Sequence, residues 1–269
     1  MKKYRPSVIL LGSKPASCVV FKKMLRAKWN IKCVVIPKKY DQSWMPKPGL
    51  ADLAKKHEIP VYETQKDIPK EKVDLVISYM YRNLVKSEII ELAKKAALNF
   101  HPAPLPEFGG FAFYNVAIIE GVKEYGATCH HMDNNFDTGD LVRVKTFAID
   151  VENETAISLE KRTQKKMLKL FDEVMHMVTS DTELPRIPQS TDEHRYLTSL
   201  EFNKLKVINP NWNYEKIQRY ARAFWFPPYP CAHIQTNSGG KSQIVPDSVL
   251  IELGLELHSK DYLELEHLL

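Results

Sequence analysis

Ser7-Val-Ile-Leu-Leu-Gly12 decides the reading of the N-terminal half. Its unbroken apolar run, closed by Gly12-Ser13, is the pattern of a strand buried on both faces that runs into a turn. Ile31 to Ile36, stopped by Pro37, and Val73-Asp-Leu-Val-Ile-Ser-Tyr79 repeat that pattern. Between these runs, Ala16 to Trp29 carries Val19, Val20, Met24 and Ala27 at helical spacing. Lys38 to Gly49, rich in proline, reads as a loop, Leu50 to His57 as a short helix and Pro60 to Tyr62 as a short strand. Ser87 to Lys95 is a predicted helix and Ala97 to Phe100 a predicted strand. Apolar strands alternating with helices predict an α/β fold with a mostly parallel sheet, whose ligand sites lie beyond the carboxyl ends of the strands.

Further along, Phe113 to Gly121 reads as helix. Tyr125 to Met132 and Asp140 to Ile149 are β-rich, joined by a short polar turn. A long helix begins near Thr155, with Ala156, Leu159, Thr163, Met167, Leu170, Phe171, Val174 and Val178 on one face. Leu184 to Glu193 turns polar and proline-bearing, as a linker would. Beyond it, Tyr214 to Ala223 reads as helix, and Asn237-Ser-Gly-Gly240 is a hairpin turn between His233–Thr236 and Ser242–Val245. The predicted organisation is a large α/β domain over residues 1–183 and a small α+β, hairpin-bearing domain over residues 184–269.

Composition narrows the function. The chain has 269 residues, 44% hydrophobic and 26% charged, enough for a sizeable core. Its apolar runs fall far short of the roughly 20 residues that cross a bilayer. Val8 to Leu11 is likewise shorter than the ~7–15 residues of an export leader. Cys18, Cys33, Cys129 and Cys231 show no CxxC spacing, which points to reduced thiols and a cytoplasmic protein. Residues 181–269 hold nine basic and twelve acidic side chains, so the net charge of +5 is +8 over residues 1–180 and −3 beyond them. A positive N-terminal part suits an anionic small molecule or a nucleic acid, and the acidic C-terminal part argues against a second domain that grips nucleic acid.

The chemistry concentrates in Asn99-Phe-His101-Pro-Ala-Pro-Leu-Pro106, which follows an apolar strand. Alternation sends Asn99 and His101 to the same side, and three prolines restrict the loop behind them. Cys129-His-His131-Met-Asp-Asn-Asn-Phe-Asp137-Thr-Gly139 then supplies a carboxylate on a tight loop. Amide, imidazole and carboxylate together suit acyl-type transfer, with Asn donating to an oxyanion and His and Asp moving protons. A metal held by His101, His130, His131 and Asp137 is the competing reading. Adjacent histidines on a strand face opposite ways and no HExxH accompanies them, so no metal ligand is assigned.

Asn99-x-His101-Pro-x-x-Leu-Pro106, Gly126-x-Thr128-x-His130 and Asp137-x-Gly139, in that order, resemble the motifs of the folate-dependent formyltransferases. The resemblance covers roughly residues 5–180. It implies a Rossmann-like catalytic domain, N10-formyltetrahydrofolate as donor without a metal, and a catalytic trio at Asn99, His101 and Asp137. It also places the pterin on two loops, at Met80, Tyr81, Arg82 and Leu84 and at Asn134 and Phe136. Which of His101 and Asp137 is the base stays open.

Within that family, Tyr114-Asn-Val-Ala-Ile118, Glu124-Tyr-Gly-Ala-Thr128 and Arg222-Ala-Phe-Trp-Phe-Pro-Pro-Tyr-Pro230 look most like the nucleotide-sugar N-formyltransferases. Glu107-Phe-Gly-Gly110 departs from the Arg-Gly common there. The implied acceptor is the amine of a nucleotide-linked amino-deoxysugar, such as dTDP-4-amino-4,6-dideoxyglucose, feeding O-antigen or lipopolysaccharide assembly. Candidate acceptor contacts are Lys14, Pro106, Tyr114, Asn115, His130, Trp225 and Tyr229. The resemblance implies a homodimer, and the charge distribution and short apolar runs predict no nucleic-acid or membrane partner. The alternatives are a methionyl-tRNA formyltransferase-like enzyme and a non-catalytic folate- or nucleotide-binding module.

Overall fold

The computed structural model describes residues 4–37, 48–111, 113–180, 182–190, 199–236 and 239–252. Most of the predicted loop at 38–49 and the hairpin residues Asn237 and Ser238 lie outside them. The chain forms two compact units, each assembled from separated segments. The first comprises residues 1–109, 126–146 and 163–195; the second comprises 110–125, 147–162 and 196–269.

The first unit is organised by the strands β1 (Ser7–Gly12), β2 (Asn30–Val35), β3 (Val61–Tyr62), β4 (Val73–Tyr79), β5 (Ala93–His101), β6 (Glu124–His131) and β7 (Leu141–Ala148). Their order in the sheet is β3-β2-β1-β4-β5-β6-β7. From β3 to β5 every pairing is parallel, and β6 then pairs antiparallel with β5. The mostly parallel sheet expected from the apolar runs is thus present.

Alternation sorts each strand onto two cores. Val8, Leu10, Leu75, Ile77, Leu98 and Phe100 pack on one face against helices α1 (Pro15–Arg26), α2 (Leu50–Lys56) and α5 (Ala156–Thr179). Ile9, Leu11, Val35, Val76 and Ala97 pack on the other, with Ile89 of the one-turn helix α3 (Ser87–Ile90). From α5, the first core takes Met167, Leu170, Phe171, Val174 and Val178, as the 3.6-residue period predicts.

Two expectations are corrected. In α1 the buried face is Ala16, Ser17, Val20, Phe21 and Met24, while Val19 is 40% exposed and Ala27 lies outside the helix. The stripe is rotated because Phe21, at the next position round, is the larger side chain to bury. The helix expected over Ser87–Lys95 ends at Ile90, and β5 begins at Ala93. There Ala93 pairs with Val73 and the register shifts before Ala96 meets Leu75, so the strand continues through exposed Lys94 and Lys95.

In the second unit, α4 (Phe113–Glu120) packs against α7 (Tyr214–Phe224). The Asn115 amide donates to the Ala223 carbonyl at 2.6 Å. Arg222, buried on α7, donates to the Val151 carbonyl at 3.1 Å. The hairpin pairs β8 (His233–Gln235) with β9 (Lys241–Gln243), and α6 (Ser199–Leu205) and α8 (Asp247–Glu252) complete the unit. No helix among the described residues is long and apolar enough to cross a membrane.

Candidate active site

The antiparallel step from β5 to β6 creates the site. Asn99 lies opposite His130, and His101 opposite Thr128. Cross-strand partners share a face, so these four side chains stand together while Leu98, Phe100 and Cys129 enter the core. His131 takes the opposite face from His130 and bonds the Pro185 carbonyl through Nε2 at 3.1 Å.

The loop after β6 folds over the Asn99–His130 face. Asp133 organises it, with Oδ1 accepting from the Asn135 N–H at 3.0 Å and both carboxylate oxygens accepting from the Thr138 hydroxyl at 2.8 Å. Gly139 is obligatory, because an added Cβ would collide with the His131 carbonyl. Asp137 adopts φ 58°, a left-handed conformation that Asp tolerates better than most side chains. Its carboxylate is thereby brought down onto the sheet, 7% exposed.

Three polar side chains of the cluster converge on one atom, Asp137 Oδ1. Asn99 Nδ2 donates to it at 3.2 Å, and His101 Nδ1 and His130 Nε2 each lie 3.5 Å away. Partners fix the tautomers, since a carbonyl only accepts and an amide nitrogen only donates. The His130 Nδ1–H therefore donates to the His131 carbonyl at 2.8 Å, leaving Nε2 to accept from Asn99 Nδ2 at 3.0 Å. Likewise the His101 Nε2–H donates to the Phe108 carbonyl at 2.7 Å. The His101 Nδ1 lone pair then faces the Asp137 carboxylate, two acceptors that attract only with a proton between them. The geometry makes His101 and Asp137 a pair that shares a proton.

Burial pushes the His101 imidazole below its usual range, and the Asp137 carboxylate and Phe108 carbonyl partly offset this. The oxyanion donor expected from Asn99 is qualified by its surroundings, because both Nδ2 hydrogens are engaged, one by His130 and one by Asp137. His130, expected as an acceptor contact, is 2% exposed and holds Asn99 instead.

The proline loop is pinned from β6. Thr128 Oγ1 accepts from the Leu105 N–H at 3.0 Å and donates to the Ala103 carbonyl at 2.8 Å, leaving Pro106 half-buried beside the site. At the parallel strands' carboxyl edge, the Ser13 hydroxyl donates to the Met80 carbonyl at 2.7 Å, tying the β1 and β4 loops together. Gln65 braces the Met80–Leu84 loop, donating to the Leu84 carbonyl at 2.8 Å and accepting from the Lys86 N–H at 2.9 Å. Tyr81 is half-buried there, Arg82 and Leu84 are exposed, and Lys14 precedes α1. On the other predicted folate loop, Asn134 and Phe136 are exposed.

The remaining predicted contacts belong to the second unit. Tyr114 is buried with its ring against Phe113 and Tyr125, and Asn115 is bound to α7. Trp225 packs on Val245, Val249 and Leu250, while Tyr229 is 40% exposed beside Phe226. Among the described residues, no three His, Cys, Asp or Glu side chains are arranged to hold a metal ion.

Reasoning from sequence missed Gln189. The expected linker at 184–193 has Ile187 and Leu141 exchanging backbone hydrogen bonds of 2.8 and 3.1 Å. Gln189 reaches the Asp137 loop. No local pattern announces it, because its partners lie 50 and 52 residues away.

Comparison with known proteins agrees with this architecture. A GDP-perosamine N-formyltransferase from Brucella melitensis is 34% identical over 174 residues, covering 64% of each chain. A methionyl-tRNA formyltransferase from Desulforamulus reducens is 28% identical over 195 residues, 68% of this chain and 61% of that one. Each match thus spans less than two thirds of the relative. The fold is similar to that of a Helicobacter canadensis N-formyltransferase crystallised with folinic acid and dTDP-3-aminofucose. That likeness has a TM-score of 0.72 at 22% identity, covering 86% of this chain and 84% of the other. The formyl transferase family model matches residues 3–175, which contain both strands and both loops of the site, and the chain belongs to that family.

Proposed function

We propose that this protein transfers the formyl group of N10-formyltetrahydrofolate to the amine of a nucleotide-linked amino-deoxysugar. The observation that carries this reading is the convergence of Asn99, His101 and His130 on Asp137 Oδ1. Formyl transfer needs a proton acceptor for the attacking amine and a donor for the oxyanion of the tetrahedral intermediate. As the amine attacks the formyl carbon, the His101–Asp137 pair accepts its proton and returns one to the departing N10 of the folate. One Asn99 N–H turns from Asp137 to the oxyanion, the 3.2 Å bond being the longer of its two. Collapse of the intermediate breaks the bond from carbon to N10, leaving an N-formyl sugar and tetrahydrofolate.

The loops bearing Met80, Tyr81, Arg82 and Leu84 and bearing Asn134 and Phe136 are the proposed folate grip. Lys14, Pro106, Trp225 and Tyr229 are the proposed acceptor contacts. The GDP-perosamine N-formyltransferase relative supports an amino-sugar acceptor. We also assign a cytoplasmic homodimer, which light scattering would test. The test of activity is release of tetrahydrofolate with dTDP-, UDP- and GDP-linked 3-amino- and 4-amino-sugars. Turnover with at least one is expected, and none with any would contradict the proposal. The methionyl-tRNA formyltransferase relative sustains a second reading, which formylation of charged initiator tRNA would reveal.

A further inference from the structure

The loop that presents Asp137 is strained and surface-facing, yet its carboxylate must hold a shared proton against His101. Within the loop, Asp133 holds Asn135 and Thr138, but none of these bonds reaches the carbonyls of left-handed Asp137 and of Gly139. The brace comes from residues 185–189. Ile187 pairs with Leu141 through two backbone hydrogen bonds, laying this segment along the start of β7. Pro185 receives the His131 ring, and Arg186 lies 3.3 Å from Asp140. Gln189 then places its Nε2 on two carbonyls at once, that of Asp137 at 2.9 Å and that of Gly139 at 2.6 Å.

These two bonds hold the Asp137–Thr138 and Gly139–Asp140 peptide planes, and so the backbone from which the catalytic carboxylate hangs. The amide orientation is forced, since the reverse would set Oε1 against two carbonyl oxygens. Gln189 Oε1 is buried and has no hydrogen-bond partner among the described residues. The side chain thus gives up the requirements of its acceptor to satisfy its two donor bonds, which a purely space-filling role would not need.

We propose that Gln189 is a positioning residue for the formyl transfer, acting through the Asp137 loop on the proton shared by Asp137 and His101. The proposal rests on the formyl-transfer reading for its kinetic consequence but not for its structural one. The groups facing the shared proton are the His101 imidazole, the Asp137 carboxylate, the Asn99 amide and the His130 imidazole. Releasing the loop changes the 3.5 Å separation of His101 Nδ1 and Asp137 Oδ1, and a displacement of about an ångström in a reacting group costs up to about 100-fold in rate.

The test compares Gln189→Met, which keeps the volume and removes both donors, with Ile187→Ala, whose side chain is 55% exposed and whose backbone pairing survives. Gln189→Asn, too short to reach both carbonyls, is the second variant should the methionine one not fold. Two readouts are taken on the full chain: steady-state kinetics, and NMR titration of the His101 imidazole without ligand. Expected for Gln189→Met are a fall in kcat of about 10- to 100-fold, KM for both substrates within a few-fold, and a displaced His101 titration. Ile187→Ala should match the wild type in both. A wild-type His101 titration in the Gln189 variants, or kinetic losses equalled by Ile187→Ala, would overturn the proposal. Should the wild type transfer formyl to no amine, the formyl-transfer reading fails, while the titration still decides the role of Gln189.

Discussion

The decisive residues sit on two adjacent strands and one loop, and their energetics are set by burial. His101 and His131 are both held below the usual imidazole range, chiefly by desolvation. The unfolded chain therefore binds protons first as pH falls from about 6.5. Their contribution to stability is complete above that value and is lost as pH drops toward the folded values. Denaturant midpoints measured between about pH 8 and pH 5 should fall on the acid side, and a flat profile would contradict the burial of these rings. Replacing His130 by Ala removes the acceptor that orients Asn99. The expected result is a lower kcat with little change in the acceptor's KM, whereas a rise in KM alone would return His130 to the acceptor contacts. Gly139→Ala should destabilise the fold by more than about 2 kcal/mol, read from urea unfolding, because the added Cβ meets backbone. Asn99, His101 and Asp137 were legible from residue type and alternation. The engaged state of Asn99 was not, since it depends on the tautomer of His130 across the strand pair.

At the scale of elements, the strands were legible because burial on both faces leaves unbroken apolar runs. β5 was trimmed because Lys94 and Lys95 read as a solvated helix end, although backbone pairing with β4 carries the strand through them. In α1, hydrophobicity alone misassigned Val19 and passed over Phe21, whose burial sets the phase of the helix. The corrected phase has a measurable consequence. Val19→Lys should change stability by no more than about 0.5 kcal/mol, while Met24→Ala, at a site 1% exposed, should cost about 2–5 kcal/mol. Equal effects of the two substitutions in urea unfolding would contradict the observed face. The segment at 184–190 shows the limit of compositional reading. Proline and polar residues suggested a linker, yet Ile187 pairs with Leu141 at a strand edge, and Gln189 bonds the carbonyls of Asp137 and Gly139.

For the molecule as a whole, the two compact units are built from segments that alternate along the chain, so no single change in composition marks them. Charge remains informative at this scale. The net charge of −3 beyond residue 180 leaves little basis for a tRNA grip in that part of the chain, and phosphate contacts would demand clustered Lys and Arg. Electrophoretic mobility of initiator tRNA should be unchanged by the protein at physiological salt, and a salt-sensitive shift would favour the tRNA reading. The central claim is that the cluster around Asp137 moves a one-carbon unit onto a sugar nitrogen. Its most direct test traces a carbon-13-labelled formyl group from N10-formyltetrahydrofolate by NMR, with the nucleotide-linked amino-sugar panel as acceptors. The account predicts the label as a formamide on the sugar amine with wild-type protein, slowed about 10²–10⁴-fold by Asp137→Asn. Label recovered only as formate or retained on the folate, or transfer undiminished in Asp137→Asn, would contradict it.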